Sequence, residues 1–130
     1  MFTSAIPLIL VDPDPGLQDL YRLLGQKAGF RRIYTTGRGD EALERIRSCH
    51  KAVVLTELCL PRVDGLRLLE TLDKEQGLDE VRVAVLSSSP KLLQLKPRLE
   101  TLGARAVLQK PFETSRLLEL LETLRETAEL

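Results

Sequence analysis

Short apolar runs alternate with amphipathic stretches along the whole chain. "AIPLILV" (Ala5 to Val11) is continuously apolar and predicts a strand covered on both faces. In the next stretch Leu17, Leu20, Leu24 and Ala28 recur at helical spacing, and Gly29 supplies a stop. "RRIYTT" predicts a short second strand. In "GDEALERIRSC", Ala42, Leu43, Ile46 and Cys49 share one helical stripe, with acids in the first turn. "AVVLTE" is a third, fully apolar strand. "DGLRLLETLDKE" turns Leu66, Leu69 and Leu72 inward. "VRVAVLS", interrupted by Arg82, and "ARAVLQ" read as the fourth and fifth strands. The terminal stretch from Glu113 to Leu130 predicts a long helix with Leu117, Leu118, Leu121 and Leu124 on its apolar side.

The segment from Ser88 to Leu102 is less regular. Pro90 and Pro97 both fall where a fourth helix belongs. Proline inside a helix removes a hydrogen bond and clashes with the preceding turn, so it is comfortable only in the first turn. The expectation is a helix that starts late, near Lys96, with "SSSPKLLQLK" as an irregular lead-in.

Five strands alternating with five helices argue for an α/β fold, a doubly wound parallel sheet with helices on both faces. A chain of 130 residues fits a single domain, residues 1–130, with one real core. In such sheets function gathers at the carboxyl ends of the strands.

Composition narrows the function classes. Lys+Arg and Asp+Glu number 19 each, so no bulk charge draws nucleic acid or membrane. The apolar runs are strand-sized rather than membrane-spanning. Met1 to Ser4 has no basic leader region, and no signal peptide is expected. Cys49 and Cys59 are unpatterned and are read as two free, partly buried thiols in a reducing cytoplasm. His50, the one histidine, has no partner set for catalysis or metal binding and is expected to be exposed and inert.

Four predicted strand ends carry polar residues: Asp12 with Asp14 after the first, Thr56 and Glu57 after the third, Ser87 after the fourth, and Lys110 after the fifth. Strand ends are often polar because they meet water. All of these together are better explained by one shallow pocket.

In this order and spacing, "LILVDPDP", "ELCLPRVDG", "VLSS" and "QKPF" resemble the landmarks of a response-regulator receiver domain of two-component signalling, and the resemblance covers nearly the whole chain. It implies a flavodoxin-like fold with strand order 2-1-3-4-5. It implies a pocket in which an aspartate is phosphorylated by a partner kinase, two acids hold Mg²⁺, a hydroxyl and a lysine bind the phosphoryl group, and an aromatic on the fifth strand swings inward. Carried over position by position, Asp12 matches the first acid, Ser87 the hydroxyl, Lys110 the lysine, and Asp64-Gly65 the turn beyond the acceptor. Lys110-Pro111 would be a cis peptide.

Three positions depart. Pro13 replaces the second acid, Glu57 stands at the phosphoacceptor place, and Val107 stands where the aromatic belongs. Glu57 moves the carboxylate by one methylene, and misplacement of about an ångström can cost on the order of a hundredfold in rate. Mg²⁺ needs oxygen ligands in tight order, which Pro13 does not supply; Asp14 as a substitute is hemmed in by two prolines. Val107 has no ring to swing. The departures fit each other and point to a pseudo-receiver, not an enzyme, with no cofactor and no metal ligand set. Glu57 is then either a built-in phosphate mimic reaching Ser87 and Lys110, or a structural acid pairing Lys110. The structural role is favoured, because a buried lysine needs a partner.

What remains is surface. The face of helix four, strand five and helix five would carry Lys91, Leu92, Leu95, Arg98, Val107, Leu117 and Leu120. The leading expectation is a cytoplasmic, phosphorylation-independent interaction module that docks a partner protein or dimerises there, with no direct contact to nucleic acid or membrane. One rival is a receiver that still accepts phosphate from a histidine kinase in a Mg²⁺-dependent reaction. Another is a flavodoxin-like small-molecule binder. That reading wants a glycine- and hydroxyl-rich loop after strand one, and "DPDPGLQ" has one glycine and no hydroxyl.

Overall fold

A computed structural model describes residues 5–75 and 80–129. The first four residues, on which the leader expectation rests, and Leu130, the expected end of the last helix, lie outside the described residues. The elements run β1 (Leu8–Val11), α1 (Pro15–Lys27), β2 (Ile33–Thr36), α2 (Gly39–Cys49), β3 (Ala52–Glu57), α3 (Gly65–Lys74), β4 (Val81–Ser87), α4 (Lys91–Thr101), β5 (Ala104–Gln109) and α5 (Thr114–Ala128). All strand pairings are parallel, in the order β2-β1-β3-β4-β5 that the resemblance implied.

The continuous apolar strands follow from this layering. Successive side chains point to opposite faces, so a strand covered on both sides is apolar throughout. Leu8, Leu10, Val53, Leu55, Ala84 and Leu86 join α1 and α5 in one core. Ile9, Val11, Val54, Val83 and Val85 join α2, α3 and α4 in the other. β1 is shorter than the apolar run suggests. Pro7 has no amide hydrogen to give to a ladder, though its carbonyl still accepts from Val53 N at 3.0 Å.

The fourth helix departs from expectation. α4 begins at Lys91, directly after Pro90, and carries Pro97 inside it. Leu92 and Leu99, one on each side of Pro97, are fully buried against the sheet, and that burial offsets the hydrogen bond that Pro97 cannot make. Pro97 and Leu93 both lie on the exposed side of α4.

Among the described residues, no helix is long and apolar enough to cross a membrane. Cys49 is half-buried, and His50 is exposed at the end of α2. Cys59 is exposed rather than partly buried, because it sits in the turn after β3 instead of on an element. Both thiols are free.

Candidate functional site

The carboxyl ends of β1, β3 and β5 bring three charges together. Lys110 Nζ lies 3.0 Å from Asp12 Oδ2 and 3.1 Å from Glu57 Oε1. The side chains are 14%, 3% and 11% exposed respectively, so the cluster is nearly dry and its mutual attractions are weakly screened. Burial works against the Lys110 charge. The hydrogen bonds to Asp12 and Glu57 outweigh it and hold the ammonium above the ordinary lysine range.

The remaining carboxylate oxygens are committed to the backbone. Asp12 Oδ1 accepts from Asp14 N at 2.9 Å. Glu57 Oε2 accepts from Leu58 N and Cys59 N, the latter at 3.3 Å. All four oxygens of the two acids therefore already have protein donors. Asp14 does not turn toward the pocket. It caps α1, accepting from Gly16 N at 2.8 Å and Leu17 N at 3.3 Å, as an aspartate before a Pro-initiated helix is suited to do. Pro13 offers no side-chain oxygen. Among the described residues no group of three or more Asp, Glu, His or Cys gathers that could hold a metal ion.

Ser87 is buried at the end of β4, where its hydroxyl accepts from Ser89 N at 3.1 Å and lies 4.0 Å from Cys59 Sγ. Among the described residues it makes no hydrogen bond to Glu57. Lys110-Pro111 is a cis peptide, as the resemblance implied. Asp64 caps α3 through Arg67 N at 2.8 Å, and Gly65 opens that helix. The structure brings Asp12, Glu57 and Lys110 into one cluster with Ser87 beside it, whereas Asp14, expected in the pocket, is taken up by the cap of α1.

One pocket residue was not foreseen. Tyr21, on α1, is 1% exposed, and Lys110 Nζ lies 6.0 Å from its ring centroid. Its hydroxyl is buried and, among the described residues, has no hydrogen-bond partner within bonding distance, and burial raises its pKa. The signal was present in the sequence: Tyr21 interrupts the leucine stripe of α1 from Leu17 to Leu24, one turn from each.

The face of α4, β5 and α5 needs correction. Leu92 and Leu117 are fully buried and belong to the core, not to a surface. Leu92 was misplaced because the helix was expected to start after it. Leu117 packs under α5 with Leu121 and Leu124. Leu95, Val107 and Leu120 are half-buried. The large apolar side chain that this face exposes is Leu93, at 61%.

Comparison with known proteins accords with this architecture. The profile of the response regulator receiver domain matches residues 8–122. The chain is 25% identical over 112 residues to response regulator Rre1 of Synechocystis, covering 86% of this chain and 48% of the relative. It is 32% identical over 110 residues to the transcriptional activator protein PfeR of Pseudomonas aeruginosa, covering 85% of this chain and 34% of the relative. The chain thus spans half or less of the length of these curated relatives. The receiver domain of the Francisella response regulator 1452 superposes with a TM-score of 0.81 at 23% identity, covering 94% of this chain and 98% of that one. On the profile match and the shared fold, the chain belongs to the response regulator receiver domain family of two-component signalling.

Proposed function

We propose that this receiver domain is a pseudo-receiver: a cytoplasmic, phosphorylation-independent interaction module that works without Mg²⁺ and performs no catalysis of its own. The observation that carries the reading is the commitment of all four Asp12 and Glu57 oxygens to Lys110 and to backbone amides. A divalent cation would have to compete with a nearly dry ion pair for these oxygens, and Pro13 contributes none. Glu57 serves as the structural acid that compensates Lys110; its lack of a bond to Ser87 argues against the mimic. The partner, another protein or a second copy, docks on the face of α4, β5 and α5, and this domain does not itself touch nucleic acid.

The test is an amide-shift titration by NMR, first with Mg²⁺ and then with beryllofluoride, which imitates a bound phosphoryl group. Amides near Asp12, Glu57, Ser87 and Lys110 are expected to stay still. Saturable shifts there, spreading to α4 and β5, would establish instead a phosphorylatable receiver fed by a histidine kinase.

A further inference from the structure

Among the described residues, β2 is an outer strand of the sheet, with β1 on one side and no strand on the other. Leu8 N donates to Arg32 O at 2.8 Å and Asp12 N to Thr36 O at 3.0 Å, so the even-numbered peptide groups of β2 face β1. Peptide groups alternate along a strand, which turns those of Ile33 and Thr35 outward. A row of open donors and acceptors is a template for one more strand. One side chain lies across it. Half-buried Arg22 reaches over from α1, and its guanidinium donates to the Ile33 carbonyl at 3.4 Å and to Thr35 Oγ1 at 3.3 Å.

We infer that Arg22 guards this edge and keeps β2 from pairing with the β2 of a second copy of the chain. The edge is self-complementary. In an antiparallel pairing about a two-fold axis at Tyr34, Ile33 of each copy falls opposite Thr35 of the other, and each such pair can exchange both of its hydrogen bonds. With Arg22 in place the Ile33 carbonyl is already engaged, and pairing would bring two guanidinium charges to one seam. Arginine suits this duty because its planar fork reaches a carbonyl and a hydroxyl at once, a geometry that a lysine ammonium does not offer. Arg45 flanks the same edge from α2, but its guanidinium is stacked on the Tyr34 ring, 4.1 Å from the centroid. The inference stands apart from the pseudo-receiver reading, since the guard works whether or not the pocket takes a phosphoryl group.

Sedimentation velocity and NMR amide shifts over a concentration series test this. The parent chain is expected to keep its Ile33 and Thr35 amides in place at every concentration, even if it associates through another face. In Arg22→Ala those two amides are expected to move saturably, with at least about tenfold more β2-paired dimer than the parent forms at the same concentration. Adding Thr35→Pro removes an N–H that faces outward and so spares the bonds to β1. The double variant is expected to lose the pairing. Ile33 and Thr35 amides that ignore concentration in Arg22→Ala overturn the inference. So does association at β2 that survives Thr35→Pro, and so does a parent chain whose β2 amides already shift with concentration. Where the proline variant fails to fold, the comparison of Arg22→Ala with the parent decides by itself.

Discussion

A Cβ placed on Gly39 would lie 1.8 Å from the carbonyl oxygen of Val63. The first turn of α2 thus rests directly on the backbone of the turn that follows Glu57, and no flexible side chain is there to yield. Gly39→Ala is expected to destabilise the fold by about 3 kcal/mol, since overpacking against backbone forces the chain itself to move. Urea unfolding measures the loss, and amide shifts from Leu58 to Gly65 should show that this turn has moved.

Lys110→Met should be costly for a different reason. It leaves Asp12 and Glu57 as neighbouring buried carboxylates without their shared cation, at about 3–5 kcal/mol. Adding Glu57→Gln removes one of the two stranded charges. The double variant should therefore recover part of the loss, with a coupling of about 1 kcal/mol or more in a double-mutant cycle. Strict additivity would mean that Glu57 and Lys110 do not support one another.

Tyr21→Phe removes a buried hydroxyl that has no hydrogen-bond partner among the described residues, so it should leave stability at neutral pH unchanged or raise it by up to about 1 kcal/mol. A loss of 2 kcal/mol or so would mean that the hydroxyl is bonded.

Alkaline pH should set Tyr21 and Lys110 apart from the exposed titratable groups. Burial keeps the Tyr21 proton on beyond the ordinary tyrosine range, and Asp12 and Glu57 keep the Lys110 proton on despite its burial. The unfolded chain releases both near pH ~10. The native state then holds more protons than the unfolded one. This contribution is whole below about pH 10 and is lost as the pH climbs through the folded-state values. Unfolding midpoints for the parent chain and Tyr21→Phe should run parallel from neutral pH to about pH 9 and then diverge, the variant falling less steeply.

Two adjacent leucines of α4, Leu92 and Leu93, should behave oppositely. Leu92→Ala empties a fully buried site and should cost about 2–5 kcal/mol, while Leu93→Ala, at an exposed position, should stay within about 0.5 kcal/mol. Thermal melts of the two variants decide which leucine belongs to the core.

The sheet was legible because its inner strands β1, β3 and β4 are covered on both faces, which leaves apolar runs that ordinary polar loops interrupt. "AVVLTE" and "VRVAVLS" coincide with β3 and β4 residue for residue. α4 was misread because its two prolines speak about local backbone cost, whereas the burial of Leu92 and Leu99 is a tertiary gain that no local window contains. The same limit hid the duty of Asp14. Capping depends on where a helix starts, and that start sits between two prolines. The grouping of Asp12, Glu57 and Lys110 was legible because parallel topology alone brings those strand ends together. The Tyr21 contact was not, since it depends on which turn of α1 passes beneath Lys110.

The carboxylate that grips Lys110 is built into the polypeptide. A phosphoryl group arrives from a kinase and leaves by hydrolysis, so a message written that way has a clock and a reset. Glu57 is neither installed nor erased during the life of the molecule. Under the proposed function, a cell adjusts this domain's output by making and destroying copies of it, and the signal becomes a matter of dosage.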